Sequence, residues 1–197
     1  MAGATRRVGA ETSQTRELIL KSTEKLIREE GYAALSTRRV AARAGLKPSL
    51  VHYYFPTTDD LLLEVSRRGA AESDRMIEEA LASDQPMKAL WTFFVDTSRT
   101  ASALEFMAMA NHRESLREQM AEHSRMMRRR QVEIIREMLG DRLAEHDGLE
   151  PEALSLMLAG IGRAIVMEHN LGVSDGHEAA RAYVERWLDR LLPKNAD

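Results

Sequence analysis

LSTRRVAARAGLKPSLVHYYF, residues 35–55, is the stretch that decides how this chain reads. Ser36 or Thr37 can cap a short helix, because a hydroxyl there accepts from an early backbone N–H. That helix carries Val40, Ala41 and Ala44 and meets Gly45, where a tight reversal between crossing helices favours a residue without a Cβ. Pro48 or Ser49 opens a second short helix, since proline in a first turn gives up no hydrogen bond. Val40, Ala41, Ala44, Leu46 and Val51 are small enough to let the two helices pack closely. Lys47, Ser49, Leu50, His52 and Tyr53 are not needed for that packing. A helix of this length fits the DNA major groove with its N-terminal residues toward base edges.

Outward from this segment, nearly everything reads as helix. Ala, Leu, Met, Glu and Arg dominate, and no run alternates with period two over the length of a strand. A first helix starts near Thr15 or Arg16 and is stopped by Gly31. Thr57 or Thr58 caps a fourth helix that runs to about Leu81, with Asp59 and Asp60 complementing its dipole. Residues 87–110 form one helix, or two with a break near Thr100–Ser102. A long amphipathic helix over 113–139 ends at Gly140. Glu150-Pro151-Glu152 opens a helix halted by Gly172. Ser174 or Asp175 caps the last helix, Asp175 and Glu178 having capping-box spacing, and it ends before Pro193. The expectation is an all-α chain of about nine helices. Residues 1–14 form a flexible basic arm, 15–57 a helix-turn-helix domain (14–74 in the wider sense), and 58–197 a second helical domain.

Composition narrows the function. The chain has 197 residues, 44% hydrophobic and 30% charged, and no cysteine. That suits a globular protein and excludes disulfides and thiolate metal sites, which favours an intracellular compartment. No apolar stretch is long enough to span a membrane. The net charge of -3 hides an asymmetry: residues 1–57 hold ten Lys+Arg against five Asp+Glu, and the remainder holds eighteen against twenty-six. A basic head on an acidic body points to an anionic partner such as nucleic acid, or to ordinary charge variation. Arg6 and Arg7 lie in a polar arm without the apolar run of a secretion signal; they either stay solvated or reach a minor groove. The six histidines show no ligand spacing, and no phosphate-binding glycine motif or nucleophile elbow occurs. Metal and cofactor binding are therefore not expected, and an enzyme is disfavoured. Arg128-Arg129-Arg130 cannot form one stripe, because consecutive helical residues point about 100° apart. Glu133 and Glu137 are helical neighbours for a solvated, salt-bridged face.

From about Arg16 to Val65 the chain resembles the TetR family of transcriptional regulators. The resemblance is carried by Gly31-Tyr32, Ser36-Thr37, Val40-Ala41, Ala44-Gly45-Leu46, Tyr53-Tyr54-Phe55 and Asp60-Leu61-Leu62. It implies a homodimeric, ligand-responsive repressor in the bacterial cytoplasm, at the nucleoid, whose partner is double-stranded DNA with a palindromic operator. Thr37 and Arg38 would contact phosphate and a base, and Lys47, Ser49, Leu50 and Tyr53 would belong to the recognition helix. Two positions depart from the family's usual pattern. His52 stands where tyrosine commonly touches a phosphate, and Thr58 stands where lysine is frequent. Imidazole can still donate there, and Thr58 can offer its hydroxyl and backbone N–H at a helix N-terminus. Methionine and aromatic side chains adapt to apolar ligands, so Trp91, Phe94, Met107, His112, Met126, Met127, Met157 and Met167 are the candidate pocket for a small apolar or amphipathic effector, with Glu105, Arg113 or Asn170 as polar contacts. Each of these also suits plain core packing. The last two helices have broad apolar faces. Ile161, Ile165, Tyr183, Val184, Trp187, Leu188 and Leu191 are the candidate dimer interface, unless both faces bury into one monomer core. A small-molecule-binding protein without DNA binding is the alternative function.

Overall fold

A computed structural model describes residues 14–145 and 148–192. Nine α-helices and no strand occur among the described residues. Helix α1 spans Gln14–Glu30, α2 Thr37–Ala44, α3 Pro48–Tyr54, α4 Thr58–Leu81 and α5 Pro86–Val95. Helix α6 spans Thr97–Ala110, α7 Glu114–Glu145, α8 Pro151–Asn170 and α9 His177–Leu191. The chain divides into two compact units. One holds the described residues up to Gly69 together with Met109–Gln119; the other holds Ala70–Ala108 and the described residues from Met120 on.

In the first unit the local signals act as read. Gly31 ends α1 at φ 74°, its N–H bonding the Ile27 carbonyl at 2.9 Å. A 3-10 turn, Tyr32–Ala34, follows. Ser36 caps α2, its hydroxyl accepting from the Arg39 N–H, and Gly45 closes it in the left-handed region at φ 67°. Pro48 opens α3. Ile19, Leu20, Leu26, Val40, Ala41, Val51, Phe55, Leu61 and Leu62 are buried together with Thr23, whose hydroxyl returns to the Ile19 carbonyl at 2.8 Å. Burial of each large aliphatic side chain contributes about 1.5–3 kcal/mol. The core is stapled outside by Arg68, which donates to Glu17 at 2.6 Å and approaches Glu24 at 3.1 Å.

The second unit is a helical body around Met87, Leu90, Trp91, Ile134, Ile135, Leu154, Leu158 and Leu188. Helices α5 and α8 approach closely because Gly162 has no side chain: a Cβ there would lie 2.3 Å from the Phe94 carbonyl oxygen.

Three boundaries differ from the sequence expectation. Gly140 does not end α7, which runs on to Glu145. Leu139 and Leu143, both buried in the core, hold the helix across a glycine that costs only about 1 kcal/mol. The interruption between α5 and α6 falls at Asp96, which is extended, rather than at Thr100–Ser102. Helix α9 has no side-chain cap from Ser174 or Asp175; Gly176 precedes it in the left-handed region at φ 81°. Of the two expected caps for α4, Thr57 is the one used. Its hydroxyl accepts from the Asp60 N–H at 3.0 Å, and the Asp60 carboxylate accepts from the Thr57 N–H at 2.9 Å. Among the described residues, no helix is long and apolar enough to cross a membrane.

Candidate nucleic-acid interface

Helix α3 is built so that one side is committed to packing and the other is free. Val51 and Phe55, four residues apart, are buried. At 100° per residue, Ser49, Leu50 and Tyr53 lie on the opposite arc. All three are exposed, Tyr53 at 48%. Tyr53 is braced edge-on by Tyr54, ring centroids 5.2 Å apart, which limits its rotation. Lys47 precedes α3 and is exposed.

The cations of the head divide into two sets. Arg39 and Arg43 are held by α1: Arg39 pairs with Glu30, and Arg43 with Glu29 and, at 3.1 Å, with Glu30. Arg38 and Lys47 are exposed, and among the described residues neither side chain has an ion pair or hydrogen bond. The charges at the start of α2 and α3 are therefore uncompensated, while those facing α1 are neutralised.

His52 is engaged inside the head. Its Nδ1 lies 3.4 Å from the Pro56 carbonyl and its Nε2 3.2 Å from Thr37 Oγ1. A carbonyl only accepts, so Nδ1 carries a proton; in the neutral ring Nε2 then accepts from the Thr37 hydroxyl. His52 thus orients Thr37 at the start of α2 rather than standing free, a coupling that residue spacing alone does not reveal. Thr58, half-buried, is the first residue of α4, behind the Thr57 cap. Arg6 and Arg7 lie outside the described residues.

Sequence reasoning missed one contact to this head. Arg113, expected among the polar contacts to an effector, belongs to the first unit. Its Nε donates to Asp59 at 2.9 Å and its guanidinium lies over the Tyr32 ring, 5.3 Å from the centroid. The hydrogen bond to Tyr32, then that to Asp59, raises its pKa above the ordinary arginine value.

The family profile described as "Bacterial regulatory proteins, tetR family" matches residues 19–65, the span that contains this face. The likeness in sequence to the TetR family lies in this N-terminal segment. Solved structures extend the likeness of fold along the rest of the chain. A TetR transcription regulator from Haloarcula marismortui superposes with a TM-score of 0.72 at 20% identity, over 91% of this chain and 98% of that one. A regulator from Saccharomonospora viridis, solved in complex with choline, gives 0.74 at 17% identity over 91% and 98%. The multidrug binding protein EbrR, complexed with imidazole, gives 0.60 at 22% identity over 93% and 98%. No curated protein sequence matches significantly. The chain thus has the fold of a TetR-family DNA-binding transcriptional regulator.

The candidate body residues are scattered. Trp91, Phe94 and Met127 share the body core, and Met107 is half-buried. Met126, Met157 and Met167 are exposed, at 43%, 51% and 54%. His112 belongs to the first unit and is exposed. Of the candidate interface residues, Ile165, Val184, Leu188 and Leu191 are buried in the body core itself, Ile161 and Trp187 pack partly against it, and Tyr183 is 59% exposed.

Proposed function

We propose that this protein is a homodimeric, sequence-specific repressor, released from a palindromic operator when a small effector binds its helical body. The observation that carries the reading is the free arc of α3, Ser49, Leu50 and Tyr53, flanked by the unpaired cations Arg38 and Lys47. Those cations would hold phosphates while α3 meets base edges. Thr37, seated by His52, would contact the backbone beside Arg38, with Thr58 at the α4 N-terminus as a further phosphate contact.

A second copy of the chain suits the outward face of α8. Ala153, Leu156, Met157, Gly160, Ala164, Met167 and Leu171 recur at three- and four-residue spacing and are all exposed, as is Tyr183 on α9. Solvated apolar stripes of this length mark interaction surfaces, and small residues among them allow close helix approach. This reading puts the interface on the face that the body core leaves open, since Ile165, Val184, Leu188 and Leu191 are buried within one chain. The effector would bind the DNA-incompetent state more tightly; a coupling of about 1–3 kcal/mol weakens operator binding roughly 5–150-fold. The protein would act without catalysis, in the bacterial cytoplasm at the nucleoid.

A gel shift against the region upstream of the protein's own gene tests this. Wild type should shift it in a salt-dependent manner, and Arg38→Ala and Tyr53→Ala should each weaken the shift while the dimer persists. Normal binding by both variants would refute the placement of the reading surface.

A further inference from the structure

Several cations of the body are paired at its surface. Arg130 donates to Glu78 and Glu133, Arg136 pairs with Glu152, and Lys88 with Asp189. Arg128 breaks the pattern. It is half-buried between α7 and α8, and its Nη1 donates to Ser155 Oγ at 3.0 Å. Ser155 is fully buried and passes the interaction on, donating to the buried Gln131 Oε1 at 2.9 Å. Among the described residues, no carboxylate pairs with Arg128, and none pairs with Arg163 on α8. Burial first, and the like charge of Arg163 second, hold the Arg128 guanidinium below the usual arginine range.

A half-buried cation with a cationic neighbour and no anion is costly, and such an arrangement is relieved by an anion from outside the chain. The apolar surroundings bear on which anion. Met127, next to Arg128, packs in the same core cluster as Trp91 and Phe94. The Trp91 Nε1–H is buried and has no acceptor among the described residues.

We infer that Arg128 and Arg163, backed by Ser155 and Gln131, form the anchor for the carboxylate of an amphipathic organic acid, whose apolar part is taken up on the Met127–Trp91–Phe94 side. This deepens the effector reading proposed above and rests on it only for the consequence at the operator. It narrows the expectation of an apolar or amphipathic effector to an anionic amphiphile, the opposite charge to the choline bound by the Saccharomonospora viridis regulator.

The test is calorimetric titration of the full chain with decanoate, decan-1-ol and decyltrimethylammonium, probes of one chain length and three charges. Wild type should prefer decanoate over decan-1-ol by about tenfold or more, the increment of a charge-assisted hydrogen bond. Arg128→Gln should remove the preference, Arg128→Lys should keep part of it, and Arg163→Gln should reduce it. The ligand-free melting temperature of Arg128→Gln should hold or rise, because an unpaired charge has been removed; this separates anchoring from a structural role. Equal binding of decanoate and decan-1-ol overturns the inference. So does unchanged decanoate affinity in Arg128→Gln accompanied by a weakened dimer, which would give the arginines to a carboxylate of the second copy. A gel shift on the same samples keeps the readings apart: decanoate binding without operator binding would sink the repressor and leave the anion site standing.

Discussion

Replacing Gly162 by alanine should be among the most damaging single changes to the body. The added Cβ would lie 2.3 Å from the Phe94 carbonyl oxygen, 2.8 Å from its carbon and 3.1 Å from its Cβ. The first two atoms are backbone, so no side-chain rotation relieves the overlap. Ordinary contact begins near 3.4 Å, so α5 and α8 would have to part by about 1 Å in a close-packed interior. Overpacking of this kind costs about 3 kcal/mol, the upper end of the usual range. For a chain of this size that lowers Tm by about 6–12 °C. Gly140→Ala is the internal control. Gly140 is helical, and among the described residues nothing lies within 4 Å of a Cβ there, so alanine should gain up to about 1 kcal/mol and raise Tm slightly. Thermal unfolding followed by circular dichroism reads both. A Gly162→Ala protein melting within 1–2 °C of wild type would mean that α5 and α8 do not meet in this way.

Thr57→Ala should remove the α4 cap and the reciprocal Asp60 contact, at about 1 kcal/mol and a few degrees of Tm. Paired Leu156→Glu and Met167→Glu changes on the exposed α8 stripe should give a folded monomer in sedimentation with much weaker operator binding; a persistent dimer would place the interface elsewhere. Glu24 carries a pKa raised chiefly by burial, so the fold favours its neutral form. That contribution is present below the unfolded value of 4.5 and is lost as pH rises through the folded value. Glu24→Gln should therefore gain stability over wild type at pH 7 and none at pH 4; a gain of equal size at both would exclude this cause.

What could be read from the sequence follows the range of the forces involved. The Ser36 cap, the Gly45 turn and the Pro48 start depend on a few neighbouring residues and appear in the structure as read. The same holds for Gly31 and for the helix entered at Pro151. Gly140 was misleading because the pull of Leu139 and Leu143 on the core is a tertiary effect that outweighs a local propensity. The apolar faces of α8 and α9 illustrate another limit. Periodicity shows that each helix has much apolar surface, but it does not say which arc faces the chain's own core. Ile165, Val184, Leu188 and Leu191 lie inward, whereas Met157, Met167 and Tyr183 lie outward. Partner choice at long range was equally hidden. Arg113 with Asp59, Arg128 with Ser155 and Thr37 with His52 join residues 15 to 54 positions apart.

The most direct test of the central claim is selection of binding sites by the purified protein from random duplex DNA, with Arg38→Ala/Tyr53→Ala selected in parallel. Wild type should enrich an inverted repeat whose half-sites are separated by about one helical turn or a multiple of it, and the double variant should enrich nothing comparable. No enrichment by wild type, or the same motif from the double variant, would contradict the assignment of α3 and Arg38 as the reading surface.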